Sequence, residues 1–126
     1  MWGGKRMGST FAELVIDSAD PQRLAAFWMA ALGWQPTGRY QGAVEIAGAA
    51  SGRPSLTFVP DANEKRGKNR LHIDVNPTGC TQEEEVARLL GLGARQVDIG
   101  QGSDKPWVVL ADPEGNEFCV LRDRVD

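Results

Sequence analysis

The sequence predicts an α+β fold made of two βαβββ modules whose sheets form a curled, mixed cleft with the helices outside. Three observations carry that expectation. Two stretches, Glu13-Leu14-Val15-Ile16-Asp17 and Arg70-Leu71-His72-Ile73-Asp74-Val75, alternate in the way a strand with side chains on opposite faces requires. Each is followed by a helical apolar stripe, and each helix by three short apolar segments separated by turn-forming residues. Shifting the first stretch by 59 positions lays Glu13 on His72 and Leu14 on Ile73, and Leu92-Gly93 follows Leu32-Gly33 by 60, so the chain reads as built twice.

Residues 1–10 have no periodicity and contain Gly3, Gly4 and Gly8, which predicts a flexible terminus before a single domain over 11–126. Module one is expected at 11–60, a linker at 61–69 and module two at 70–123. After the strand at 11–17, Asp20 can cap free backbone N–H groups and Pro21 suits the first helical position, where its missing N–H has no partner. Leu24, Phe27, Trp28, Ala31 and Leu32 then form one stripe, and Gly33 ends the helix. Strands fit at 34–40, 43–47 and 55–59.

Module two opens on the His72 strand. Thr81-Gln82-Glu83-Glu84 is a capping-box pattern, Val86, Leu89 and Leu90 are the expected buried stripe, and Gly91 and Gly93 end the helix. Strands follow at 95–99, 107–111 and 117–122. Asp112-Pro113-Glu114-Gly115-Asn116 supplies the last hairpin, since proline presets one turn dihedral and Gly115 or Asn116 accepts positive φ.

At 126 residues, with 41% hydrophobic and 25% charged residues, the chain can bury one core. A net charge of −3 favours neither a nucleic-acid partner nor an anionic membrane surface. No apolar run reaches the ~20 residues of a membrane span, and the first residues lack the apolar core of a secretory signal, so a cytoplasmic protein is expected. Cys80 and Cys119 are too few for a disulfide framework and are expected reduced.

The single histidine, His72, shares the non-core face of its strand with Asp74. Asp74 and Asp17 are orienters of neighbouring polar groups or solvated strand residues. Tyr40, Phe58 and Trp107 are candidates for contact with a flat organic ligand, while Phe27, Trp28 and Phe118 are expected in the core. Cys80 lies beside a helix start, where a thiol pKa can be lowered, or is an incidental surface residue. Lys65, Arg66, Lys68 and Arg70 are either a solvated linker or a local field for an anionic substrate.

The Glu13–Trp34 strand-helix unit, the Arg70–Asp74 strand and the closing Trp107–Leu121 segment resemble the glyoxalase/bleomycin-resistance/extradiol-dioxygenase, or vicinal oxygen chelate, superfamily. That resemblance implies a homodimer and a cleft between modules, often with a divalent metal. It places ligand positions on Glu13 and His72 and departs from the family at Ser55 and Cys119, where glutamates are usual. Serine is a poor ligand, and a thiolate favours zinc over magnesium or manganese. Glu117 shares the face of Cys119 and is a substitute carboxylate. Plainer roles are a hydrogen bond between Glu13 and His72, and core filling by Cys119.

Two functions follow from the resemblance. In the first, a small aromatic or antibiotic-like molecule is bound in the cleft, touched by Tyr40, Phe58, Asp74, Trp107 and Cys119. In the second, Glu13, His72 and Glu117 serve a lyase, isomerase or dioxygenase that uses zinc, nickel, manganese or iron.

Overall fold

A computed structural model describes residues 7–49, 53–97 and 106–125. The order of elements is β1 (Glu13–Ser18), α1 (Pro21–Leu32), β2 (Gln35–Tyr40), β3 (Ala43–Ala47), β4 (Ser55–Pro60), β5 (Ile73–Val75), α2 (Gln82–Leu92), β6 (Arg95–Gln96), β7 (Val108–Ala111) and β8 (Glu117–Val120). Among the described residues these form two four-stranded sheets, β1-β4-β3-β2 and β5-β8-β7-β6. In each, the first strand of the module pairs parallel with the last and the remaining pairs are antiparallel. The sheets are the same βαβββ pattern twice and do not close into one barrel.

Both helices are set by local chemistry. The Asp20 side chain accepts from the Arg23 N–H at 3.2 Å, Pro21 starts α1, and Gly33 at φ 69° lets its N–H bond the Met29 carbonyl. In α2 the Thr81 hydroxyl accepts from the Glu84 N–H at 3.1 Å while the Glu84 carboxylate accepts from the Thr81 N–H at 2.9 Å. Those bonds hold the Glu84 carboxyl below its usual value. The helix runs through Gly91 and stops only at Gly93.

The stripe of α2 differs from expectation. Leu89 is buried, but Leu90 is exposed and Glu85 is buried instead. The reason is Arg88: Glu85 holds its guanidinium at 2.8 Å, and the guanidinium donates to the Ala30 and Ala31 carbonyls at 3.2 and 2.9 Å. An arginine of one module thus satisfies carbonyls at the end of the other module's helix, which has no basic residue in its own last turn.

One core serves both modules. Leu24, Phe27 and Trp28 of α1, Val44, Ile46, Leu56 and Phe58 of the first sheet, and Leu110, Phe118 and Val120 of the second belong to one buried cluster. Phe27, Trp28 and Phe118 meet edge to face, as expected of the core aromatics. Glu114 in the last hairpin reinforces the junction: its carboxylate accepts from the Ser18 hydroxyl at 2.7 Å and from the Ala19 and Asp20 N–H groups at 2.9 and 3.1 Å.

The expected strand 95–99 pairs with β7 at Arg95 and Gln96, the Val97 N–H donates to the Val109 carbonyl at 3.3 Å, and residues 98 and 99 lie outside the described residues. The expected flexible terminus is likewise outside them up to residue 6. Among the described residues no helix is long and apolar enough to cross a membrane.

Candidate functional site

The non-core face of the second sheet gathers the reactive side chains. His72 and Asp74 lie two residues apart and so share a face, and the β5–β8 register makes Asp74 the direct partner of Cys119. His72 Nε2 is 3.0 Å from Asp74 Oδ1. Among the described residues, His72, Asp74 and Cys119 each offer a ligand atom within 4.8 Å of the other two. Burial pushes the Cys119 thiol pKa up, and the Asp74 charge adds to that rise while Lys68 opposes it.

A cavity of about 320 Å³ opens over these groups, lined on its apolar side by Trp107, Val109 and Leu121 and on its polar side by Lys68, Asn69, His72, Asp74 and Glu117. Val109 stands opposite Cys119 in the β7–β8 pairing, so the cavity floor is made by the alternation of those strands. A second hollow of about 230 Å³ lies where β1 approaches β5, between Leu14, Ile16, Leu71, His72 and Phe118. His72 lines both.

Glu117 is held by the expected linker. The Lys65 ammonium is 3.1 Å from one carboxylate oxygen, and the Asn69 N–H donates to the other at 3.0 Å. Burial pushes the Glu117 carboxyl up, but those two donors outweigh it and leave its pKa lowered. The basic stretch is therefore more than solvated loop: Lys65 anchors Glu117, and Lys68 reaches the cavity wall.

The structure separates several residues that the sequence grouped. Glu13 is not in the His72 group; its carboxylate accepts from the Thr57 hydroxyl on the first sheet. Ser55, opposite Glu13 in the β1–β4 register, donates to Glu45 at 2.9 Å. Continuing the β5–β8 register back by one residue sets Glu117 beside His72, so the counterpart of Ser55 is Glu117 and not Cys119. Phe58 is 0% exposed in the core, because its partners across the sheet are Ile16 and Val44, and it is no ligand contact. Tyr40 is 74% exposed at the end of the edge strand β2, among residues that are all exposed, and lines neither hollow. The Cys80 thiol pKa is raised, by burial and then by the Glu85 charge, so the helix start does not activate it.

Lys68 is expected from sequence only as one of a basic cluster that supplies either a solvated linker or a field for an anionic substrate, and Asn69, Val109 and Leu121 carry no sequence signal of their own for the cavity. Val109 and Leu121 follow from the alternation that includes Trp107 and Cys119, whereas Lys68 and Asn69 depend on how the linker folds back.

The architecture is shared with solved structures of low identity. A hypothetical protein from S. aureus matches with a TM-score of 0.66 and 18% identity, over 94% of this chain and 96% of that one. A glyoxalase/bleomycin resistance protein/dioxygenase family enzyme from Burkholderia phytofirmans PsJN matches with a TM-score of 0.64 and 19% identity, over 89% and 97%. A variant of the fosfomycin resistance protein FosX from Listeria monocytogenes, complexed with manganese(II) and 1S,2S-dihydroxypropylphosphonic acid, matches with a TM-score of 0.67 and 11% identity, over 91% and 90%. The fold is thus the one these structures share. The glyoxalase-like domain family matches residues 13–121, and the chain belongs to that family. Among curated sequences it is similar to a ribosomal RNA small subunit methyltransferase G from Nostoc, 29% identical over 104 residues, which is 79% of this chain. The chain spans 41% of that relative's length.

The donor set expected from resemblance does not suit a divalent metal: Ser55 is a poor ligand and donates to Glu45, and Glu13 accepts from Thr57 on the first sheet, whereas the second module's His72, Glu117 and Cys119 line the cavity.

Proposed function

We propose that this protein binds a small, flat organic molecule in the cavity over the second sheet. The observation that carries this reading is the division of the cavity wall: Trp107, Val109 and Leu121 offer apolar area, and His72, Asp74 and Lys68 face them with hydrogen-bonding groups. Small-molecule sites combine apolar area with a few polar groups that fix orientation. A volume of about 320 Å³ lies at the lower end of the usual range for such sites. Lys68 favours a ligand carrying a carboxylate or another oxygen anion, and His72 can hydrogen-bond a carbonyl or hydroxyl.

The expected result is a raised melting midpoint with members of a panel of aromatic carboxylic acids. A ligand at 100 times its Kd stabilises the native state by about 2.7 kcal/mol. Trp107→Ala should abolish the shift, because it removes the largest apolar wall. No shift with any member, or an equal shift in Trp107→Ala, would remove the reading.

A homodimer accompanies this proposal. Phe11, Val15 and Leu71 are all exposed, and Val15 and Leu71 adjoin the second hollow between β1 and β5. Apolar side chains of this size on or just before the edge strands β1 and β5 favour a covered surface. Sedimentation equilibrium at micromolar concentration is expected to give twice the chain mass of 13.7 kDa, and monomer alone would refute it.

A metal-assisted reaction is the second reading, favoured by the grouping of His72, Asp74 and Cys119. Its first requirement is that these residues bind a metal.

A further inference from the structure

We propose that His72, Asp74 and Cys119 form a zinc site belonging to the second module alone, with its remaining coordination position open to the Trp107 cavity. The backbone brings the donors together. His72 and Asp74 project from one face of one strand, and Asp74 and Cys119 are direct partners on adjacent parallel strands. Phe118 and Val120, on either side of Cys119, are buried in the core, whereas Cys119 lines the cavity. The alternation of β8 therefore turns the sulfur toward the imidazole and the carboxylate.

The distances suit the ion. Bonds of about 2.0–2.1 Å to nitrogen and about 2.3 Å to sulfur put ligand atoms roughly 3.3–3.8 Å apart around tetrahedral zinc. The three donor atoms lie within 4.8 Å of one another, and the His72–Asp74 separation is 3.0 Å. The needed adjustment is about 1 Å or less, within what side-chain rotation supplies. His72 and Asp74 side chains are 44% and 48% exposed and free to make it.

The donor chemistry selects the metal. One nitrogen, one oxygen and one sulfur suit zinc, since a thiolate disfavours magnesium and manganese. A divalent cation also offsets the charge that Asp74 and a Cys119 thiolate would otherwise place side by side. Three protein ligands with a fourth position left open is the arrangement of zinc centres that take an exogenous molecule. Here that position faces Trp107, Val109 and Leu121. The site stands whether or not an aromatic acid fills the cavity.

Cobalt(II) titration of the reduced protein tests it, with cobalt as the coloured substitute for zinc. One equivalent should produce a near-ultraviolet thiolate-to-cobalt charge-transfer band together with the visible bands of tetrahedral cobalt, and zinc should displace both. Cys119→Ser is expected to lose the charge-transfer band, and His72→Ala and Asp74→Ala to bind cobalt more than about tenfold more weakly, since loss of even an outer partner costs that much. Cys80→Ser and Glu13→Ala should retain the spectrum. Near-ultraviolet circular dichroism before titration establishes that each variant is folded, and the exposed His72 position decides the matter if Cys119→Ser is not. No charge-transfer band in the native chain, a band that survives Cys119→Ser, or one lost in Cys80→Ser or Glu13→Ala would overturn the assignment.

Discussion

Asp112→Ala is expected to destabilise the protein by about 3–5 kcal/mol, although Asp112 does not line the cavity over the second sheet. Asp112 is 0% exposed, and its carboxylate accepts from four nitrogen donors. The Trp28 indole N–H reaches it at 3.0 Å from the first module's helix. The Glu114 and Asn116 backbone N–H groups reach it at 3.0 Å from the turn it begins, and the Asn116 amide adds contacts at 3.2 and 3.0 Å. Alanine leaves the buried indole without an acceptor, and an unsatisfied buried donor costs about 1–3 kcal/mol by itself. The turn amides lose their acceptor in the same step, and Glu114 loses the turn that aims it at Ser18, Ala19 and Asp20.

Urea denaturation measures the effect as a lower midpoint at unchanged slope, and the melting temperature should fall by roughly 10–20 °C. Asp112→Asn separates geometry from acceptor capacity. It keeps the shape but turns one acceptor oxygen into a donor, so it should lose a smaller part of the stability. An alanine variant within about 1 kcal/mol of the native chain would mean that water can replace the carboxylate, and the junction between modules would need another explanation.

The elements that could be read in advance are those set by neighbours in sequence. Asp20, Pro21 and Gly33 bound α1, and Thr81 and Glu84 begin α2, because caps act within one turn of helix. His72 and Asp74 share a face by alternation, which also needs no distant information. What escaped depends on register. Cys119 meets Asp74 only through a pairing of β5 with β8, and nothing within either segment states that alignment. Phe58 reads from sequence as either a ligand contact or a core residue because its strand alternates equally well with either face inward; the Ile16 and Val44 partners decide the face. Asp112 was legible as a turn residue, but its bond to Trp28 joins positions 84 apart. The duplicated pattern predicted Glu13 and His72 as equivalents in the two modules, yet equivalence of backbone position does not make them neighbours, and their side chains have different partners.

Phe118→Ala is expected to cost about 3–5 kcal/mol and to lower the stability of both modules together. Phe118 is 1% exposed on β8 of the second sheet, yet its ring packs on the first module's helix, with centroids 4.9 Å from Trp28 and 6.1 Å from Phe27. Truncation removes transfer energy, opens a cavity that the rigid helix–sheet junction fills poorly, and ends two edge-to-face contacts. Phe118→Leu, which refills much of that volume, should lose less than half as much. If the shared core makes the chain one cooperative unit, far-ultraviolet circular dichroism and tryptophan fluorescence will report one coincident transition in the native protein and in both variants. Separate transitions for the two signals, or a Phe118→Ala loss below about 1 kcal/mol, would show that the modules fold independently. The β8 alternation that buries Phe118 also turns Cys119 to the cavity, so the ring that joins the modules helps fix the strand presenting the sulfur.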